Sequence, residues 1–268
     1  MFYYLAQWIT EQTANSEWAD SLSPLRVFRY ITVRSAGAAT TAFLLSLWLG
    51  PKVIRWLKSL KFGQYYDDKA QEAGTKEAEV FSKHGTPTMG GILIVVVVDL
   101  CGLMWCQWNS LVTLSLISLL VLGALGFYDD YKKITEQNSA GAKADVKLWV
   151  QFILAFFIGF HLWFTPETKT LVSDIMVPFL KDPILVGVPI VGLVITVLAI
   201  VGSSNAVNFT DGLDGLAIGC TLIVTTVFLV FTYIAGNVIY AGYLYVPYVA
   251  GAGELTVLCS AIIGASLG

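Results

Sequence analysis

Apolar residues in this chain come in runs too long for an ordinary soluble core, separated by short segments that collect most of its charge. A helix needs about 20 predominantly apolar residues to cross the hydrocarbon layer of a bilayer. Runs of this kind are placed at roughly 27–49, 88–108, 111–128, 146–164, 184–203 and 215–236, and a seventh begins near 254 and meets the last residue, Gly268. Each is expected to be a helix, because lipid offers no partner to an open strand edge. Met1 to Thr10, with Phe2, Tyr3, Tyr4 and Trp8, suits a short interfacial segment. No fixed-period repeat, low-complexity tract or long linker divides the chain. The pattern predicts an all-α integral membrane protein: a polytopic helical bundle of six full spans and a partial seventh, forming one transmembrane domain over 1–268, incomplete at its C-terminal end.

Composition supports the membrane reading and removes two others. The 268 residues are 56% hydrophobic and 13% charged, with a formal net charge of −3, and the mean hydropathy is +0.70. Soluble domains carry about 25% charged residues. The missing basic field excludes a nucleic-acid-binding module, so no nucleic-acid partner is expected. The apolar excess excludes a disordered chain. Cys101, Cys106, Cys220 and Cys259 lie in apolar stretches without metal-ligand spacing and read as small packing residues. No basic leader with a small-residue cleavage site is present at the start, so no signal peptide is expected. The placement of charge then orients the bundle. Segments 51–87, 129–147 and 204–214 hold eleven lysines and arginines, against five (Arg26, Arg29, Arg34, Lys169 and Lys181) in the alternate set. The positive-inside rule puts the first set in the cytoplasm and the N-terminus on the periplasmic side.

Three segments of that cytoplasmic set carry chemistry. Ser82-Lys83-His84-Gly85-Thr86-Pro87-Thr88-Met89-Gly90-Gly91 enters the second span. Glycines and threonines at a helix start expose N–H groups to an anion, and Lys83 adds charge for phosphate. A proline-started helix with small packing residues explains the same run equally well. Gly126-Phe127-Tyr128-Asp129-Asp130-Tyr131-Lys132-Lys133 ends the third span. Adjacent carboxylates at a membrane boundary repel, and a divalent cation such as Mg²⁺ relieves the repulsion. Asp129 and Lys133, four apart on a continuing helix, are placed to pair or to grip one phosphate; a solvated, ion-paired helix end is the plainer alternative. Asn205-Ala206-Val207-Asn208-Phe209-Thr210-Asp211-Gly212-Leu213-Asp214-Gly215 joins the fifth and sixth spans. A helical turn there gathers Asn205, Asn208, Asp211 and Asp214 on one side, suited to a nucleotide or a metal shell. Lys143 and Lys147 flank the fourth span and suit substrate or lipid phosphates. Asp99, in mid-span, is expected to make a buried hydrogen bond, and His161 and Glu254 near the outer face carry no functional reading.

In this order, the three segments resemble the phospho-N-acetylmuramoyl-pentapeptide transferases of bacterial cell-wall synthesis, members of the polyprenyl-phosphate N-acetylhexosamine-1-phosphate transferase superfamily. The resemblance rests on Ser82-Lys83 with Gly85 to Gly91, on Gly126 to Lys133 and on Asn205 to Ala217, and the span order between them matches. It implies a Mg²⁺-dependent phosphoryl transfer on the cytoplasmic face of the bacterial inner membrane. Undecaprenyl phosphate attacks the β-phosphate of UDP-MurNAc-pentapeptide, giving lipid I and UMP, in an enzyme that forms homodimers. By the same resemblance Asp129, Asp130 and Asp211 are the catalytic aspartates, and Asn208, Asp129 and Asp130 surround the metal. Lys83, Thr88, Lys133, Lys147, Asn205, Asn208, Gly212, Leu213 and Asp214 bind substrate. In the family, further helices follow the seventh span and carry a metal-ligating aspartate in a Gly-Asp context and a histidine-rich loop. Neither occurs before Gly268. The expectation is a fragment boundary at that residue and no turnover by these 268 residues alone, which Mg²⁺-dependent UMP release from them would overturn. The alternatives are a sister transferase that takes UDP-GlcNAc and a non-catalytic membrane protein that binds lipid phosphate or nucleotide. A transporter is disfavoured, since Asp99 is the only charge at mid-span depth.

Overall fold

The computed structural model describes residues 1–13, 20–59, 89–136, 141–177, 180, 182–210 and 215–268. These form α1 (Phe2–Gln12), a 3₁₀ turn (Ser23–Arg29), α2 (Ile31–Ser59), α3 (Gly91–Trp105), α4 (Ser110–Thr135), α5 (Ala144–Phe164), α6 (Lys169–Ser173), α7 (Pro189–Thr210), α8 (Leu216–Ala235), α9 (Val238–Leu244) and α10 (Gly253–Leu267). Among the described residues there is no strand, only an antiparallel bridge between Ile175 and Leu185. Five helices, α2, α4, α5, α7 and α8, are long and apolar enough to cross a membrane, and α3 and α10 are shorter apolar helices. The all-α membrane architecture read from the hydrophobic pattern is the one observed.

The core lies where α2, α3, α4 and α10 meet, around Ala38, Ala42, Val97, Cys101, Leu116 and Ala261. Lipid tails are as apolar as leucine, so helices in a membrane associate through close van der Waals fit, which small residues permit. A side chain at Gly264 of α10 would run into the backbone of Ala39 on α2, and one at Gly37 into the ring of Trp105. A second group forms from α5, α6 and α7, where Gly159 faces Leu193 and Gly192 lies on the Val172 carbonyl. Gly236 at the end of α8 lies against Gly253 at the start of α10, which ties α8 to the core.

Several expectations change. Arg34, read as an outer-loop cation, lies in the first turn of α2 and is buried, as is Glu254, for which no role was expected. The Arg34 guanidinium donates to both Glu254 oxygens at 2.5 and 2.6 Å, and the Gln107 N–H donates to Glu254 Oε2 at 2.7 Å. Helix starts three and one residues upstream bring the two side chains face to face, a pairing no local pattern encodes. The hydrogen bond expected of Asp99 is absent: both its oxygens are buried without a partner among the described residues. Its neighbours one turn away on the same face, Val95 and Gly102, meet Gly123 and Leu116 of α4, which offer no donor. All four cysteines are free, Cys101 and Cys106 are buried, and Cys220 is exposed. Lys52, Arg55 and Lys58 continue α2, where a loop was expected, and α7 runs through Thr210 into the third segment.

Candidate functional site

At the end of the bundle away from Arg34, α4 extends past its apolar stretch and carries Asp129, Asp130 and Lys133 into its last two turns. The i,i+4 spacing works as expected: Lys133 Nζ lies 2.8 Å from Asp129 Oδ2. The same ammonium reaches Asp130 Oδ1 at 3.2 Å. A second cation comes from the first turn of α5, where Lys147 Nζ lies 2.6 Å from Asp129 Oδ1. A third donor is the Ala142 N–H, 2.8 Å from the same oxygen. Asp129 is 5% exposed. A carboxylate so buried must be matched by partners to stay ionised, and three donors on two oxygens do this.

Gly141 makes the third donor possible. Its φ of +64° is the left-handed conformation that only glycine adopts freely, and a Cβ there would collide with Asp129 Oδ1 and Lys133 Cε. Sequence reasoning passed over Gly141 and Ala142; a lone glycine just before a helix start was the available signal. The arrangement has a definite chemistry. Asp129 holds two ammonium groups in place, and both lysines remain about a quarter exposed, at 27% and 20% of their side chains. A phosphate can therefore meet two oriented cations. Asp130 is the more open carboxylate, and its second oxygen makes no hydrogen bond among the described residues.

One turn along α5 from Lys147, Gln151 meets a different helix, α7. Its Nε2 donates to Ser204 Oγ at 3.0 Å, and its Oε1 accepts from Asn205 Nδ2 at 2.8 Å. Asn205 also donates to its own helix, to the Val201 carbonyl at 2.8 Å. Asn205 thus links α7 to α5, while Asn208, one turn further, is exposed at the helix end. By presenting Lys147 to α4 and Gln151 to α7, α5 brings the second and third segments to the same end of the bundle. Gln151 is buried and was not singled out from the sequence. Lys83, Thr88, Asp211, Gly212, Leu213 and Asp214 lie outside the described residues. Just after them in the first segment, buried Met89 has φ +71°, an uncommon conformation for a residue with a side chain.

The donors suit Mg²⁺ only in part. Among the described residues no three His, Cys, Asp or Glu side chains converge on one point. Asp130 offers one uncommitted oxygen and Asn208 an amide, whereas both Asp129 oxygens are held by nitrogen donors.

Residues 112–268 match the model of glycosyl transferase family 4, and residues 83–95 match signature 1 of phospho-N-acetylmuramoyl-pentapeptide-transferase. A phospho-N-acetylmuramoyl-pentapeptide-transferase of Methylacidiphilum infernorum is 44% identical over 248 residues, covering 92% of this chain and 68% of that protein. The chain belongs to the phospho-N-acetylmuramoyl-pentapeptide-transferase family. Similarly named proteins of Desulfotalea psychrophila and Citrifermentans bemidjiense are 45% and 44% identical, each over 90% of this chain and 65% of their own length. The chain thus spans about two thirds of the length of these relatives. Within the family, the signature covers the Lys83 segment, and the longer match covers the Asp129 and Asn205 segments.

Proposed function

We propose that the protein transfers phospho-MurNAc-pentapeptide from UDP-MurNAc-pentapeptide to undecaprenyl phosphate, releasing UMP and forming lipid I, at the cytoplasmic face of the bacterial inner membrane. The observation that carries this reading is the paired cation set of Lys133 and Lys147, oriented by Asp129 at the same end of the bundle as Asn205 and Asn208. Both substrates are polyanions, so one phosphate approaches another only where charge is already neutralised. Lys133 and Lys147 supply fixed positive charge for this. Asp129 positions them; with both oxygens engaged it is poorly placed to take a proton, and a lipid phosphate is largely ionised at neutral pH without help. Asp130 and Asn208, joined by Asp211, would hold Mg²⁺, which when bound neutralises the diphosphate and polarises the bond that breaks.

The test is UMP release with undecaprenyl phosphate, Mg²⁺ and either UDP-MurNAc-pentapeptide or UDP-GlcNAc, run on the product of the complete reading frame beside the 268 residues alone. Turnover of the muramoyl donor only, abolished by EDTA, is the expected result for the complete product. UMP from UDP-GlcNAc instead would identify the sister transferase, and binding without turnover a lipid-phosphate or nucleotide-binding protein. Homodimers, expected from the resemblance, are tested by the mass of the purified protein in detergent.

A further inference from the structure

The hydrogen bonds where Gln151 of α5 meets α7 have one consistent direction. The Val201 carbonyl can only accept, so the Asn205 atom 2.8 Å from it is the amide nitrogen. The same nitrogen lies 2.8 Å from the Gln151 amide, which must turn its oxygen towards it. That leaves Gln151 Nε2 to donate to Ser204 Oγ, 3.0 Å away. Both hydrogens of Asn205 Nδ2 are thereby committed, one within α7 and one across to α5. Asn205 Oδ1 accepts from no donor among the described residues, and the planar amide turns it away from Val201.

Gln151 is 3% exposed, and a polar group so buried is kept only where partners satisfy it. Its partners do not need it in return. Asn205 also holds the Val201 carbonyl, and Ser204 can turn its hydroxyl back to the preceding turn, as Ser203 does to the Ile200 carbonyl. What Gln151 adds is a second anchor, from another helix, on a side chain that its own helix holds at one point. Two anchors fix the torsions of Asn205 and with them the direction of Oδ1. Lys147, one turn before Gln151 on α5, is held by Asp129. One helix thus sets the Asn205 acceptor in register with the paired cations.

We infer that Gln151 is a positioning residue for the donor substrate: it fixes Asn205 so that Oδ1 accepts from an N–H or O–H of the nucleotide-sugar while Lys133 and Lys147 meet its phosphates. This role rests on the transferase activity proposed for the site. The test is calorimetric binding of UDP-MurNAc-pentapeptide and of UMP, with Mg²⁺, to the purified product of the complete reading frame, beside the KM for undecaprenyl phosphate. Gln151→Met, which keeps the side-chain length, is expected to weaken binding of the pentapeptide donor about fivefold, as for one neutral hydrogen bond. The KM for undecaprenyl phosphate is expected to stay unchanged. Gln151→Asn, one methylene short, is expected to fall between Gln151→Met and the wild type. Asn205→Ala is expected to match Gln151→Met, and the double variant to bind no more weakly than Asn205→Ala alone. A matching loss of UMP affinity assigns the donated hydrogen to the nucleotide, and undiminished UMP affinity assigns it to the sugar or peptide. Wild-type affinity in both Gln151 variants, additive losses in the double variant, or an equal rise in the KM for undecaprenyl phosphate overturns the role of Gln151. Donor binding without UMP release by the wild type overturns the transferase activity instead, and the binding ratios then decide for Gln151. Absence of donor binding overturns both.

Discussion

Asp129 and Asp130 are neighbours in sequence with opposite circumstances. Asp129 is buried and carries three donors, whereas Asp130 shares one lysine and is partly open. Removing the charge of Asp129 leaves Lys147 without its counter-ion and Lys133 with Asp130 alone, at a cost of about 1–3 kcal/mol given that both lysines still reach water. Asp129→Asn is therefore expected to lower the melting temperature by several degrees and to weaken donor binding. Asp130→Asn is expected to leave the melting temperature within about a degree and to abolish UMP release. Thermal melts of the two variants beside the transferase assay check the pair, and equal loss of stability in both would refute the division of roles. Gly141 belongs to the same scale. Gly141→Ala places a Cβ against Asp129 and strains a left-handed backbone, and is expected to cost about 1–3 kcal/mol, read as a lowered melting temperature.

Among the elements, α10 and α5 act as fasteners at opposite ends. α10 lies on α2 by glycine and alanine contact and is joined to it by the Arg34–Glu254 pair. A buried ion pair is weak evidence of stabilisation, but breaking one half leaves an unmatched charge in an apolar site. Arg34→Met alone is expected to destabilise by about 3–5 kcal/mol, and Arg34→Met combined with Glu254→Leu to recover most of that loss. Melting of both singles and the double variant measures it; a double variant no better than the singles would show that the pair sets geometry apolar packing cannot replace. α5 joins the site segments instead, with Lys147 and Gln151 one turn apart serving α4 and α7. That role rests on the common 3.6-residue period, but only the packing shows which partner each side chain meets.

At the scale of the whole molecule the helices alternate in direction, so that α2, α4 and α7 end where α3, α5 and α8 begin. This brings Asp129 of the second segment and Asn205 of the third to the end of the bundle where α3 begins. Cysteine labelling tests the orientation. In a Cys220→Ala background, Glu136→Cys and Glu167→Cys place exposed thiols beyond opposite ends of α4 and α5. A membrane-impermeant maleimide is expected to label Glu167→Cys in intact spheroplasts and Glu136→Cys only in inverted vesicles. The reverse pattern would turn the bundle over and move the site to the outer face.

The helical class and the order of the apolar helices were legible in the sequence. Membrane helices satisfy their own backbone and show as long apolar runs, and lysines mark the loops on one side. The Asp129–Lys133 pair was legible for the same reason, since both residues belong to one helix turn. What only the tertiary structure decided are the contacts between residues distant in sequence: Lys147 and Ala142 on Asp129, Gln151 on Asn205, and Arg34 on Glu254. Each depends on how far a helix runs and on which face it turns to its neighbour. Packing of small residues sets both, and the local pattern carries no record of the partner.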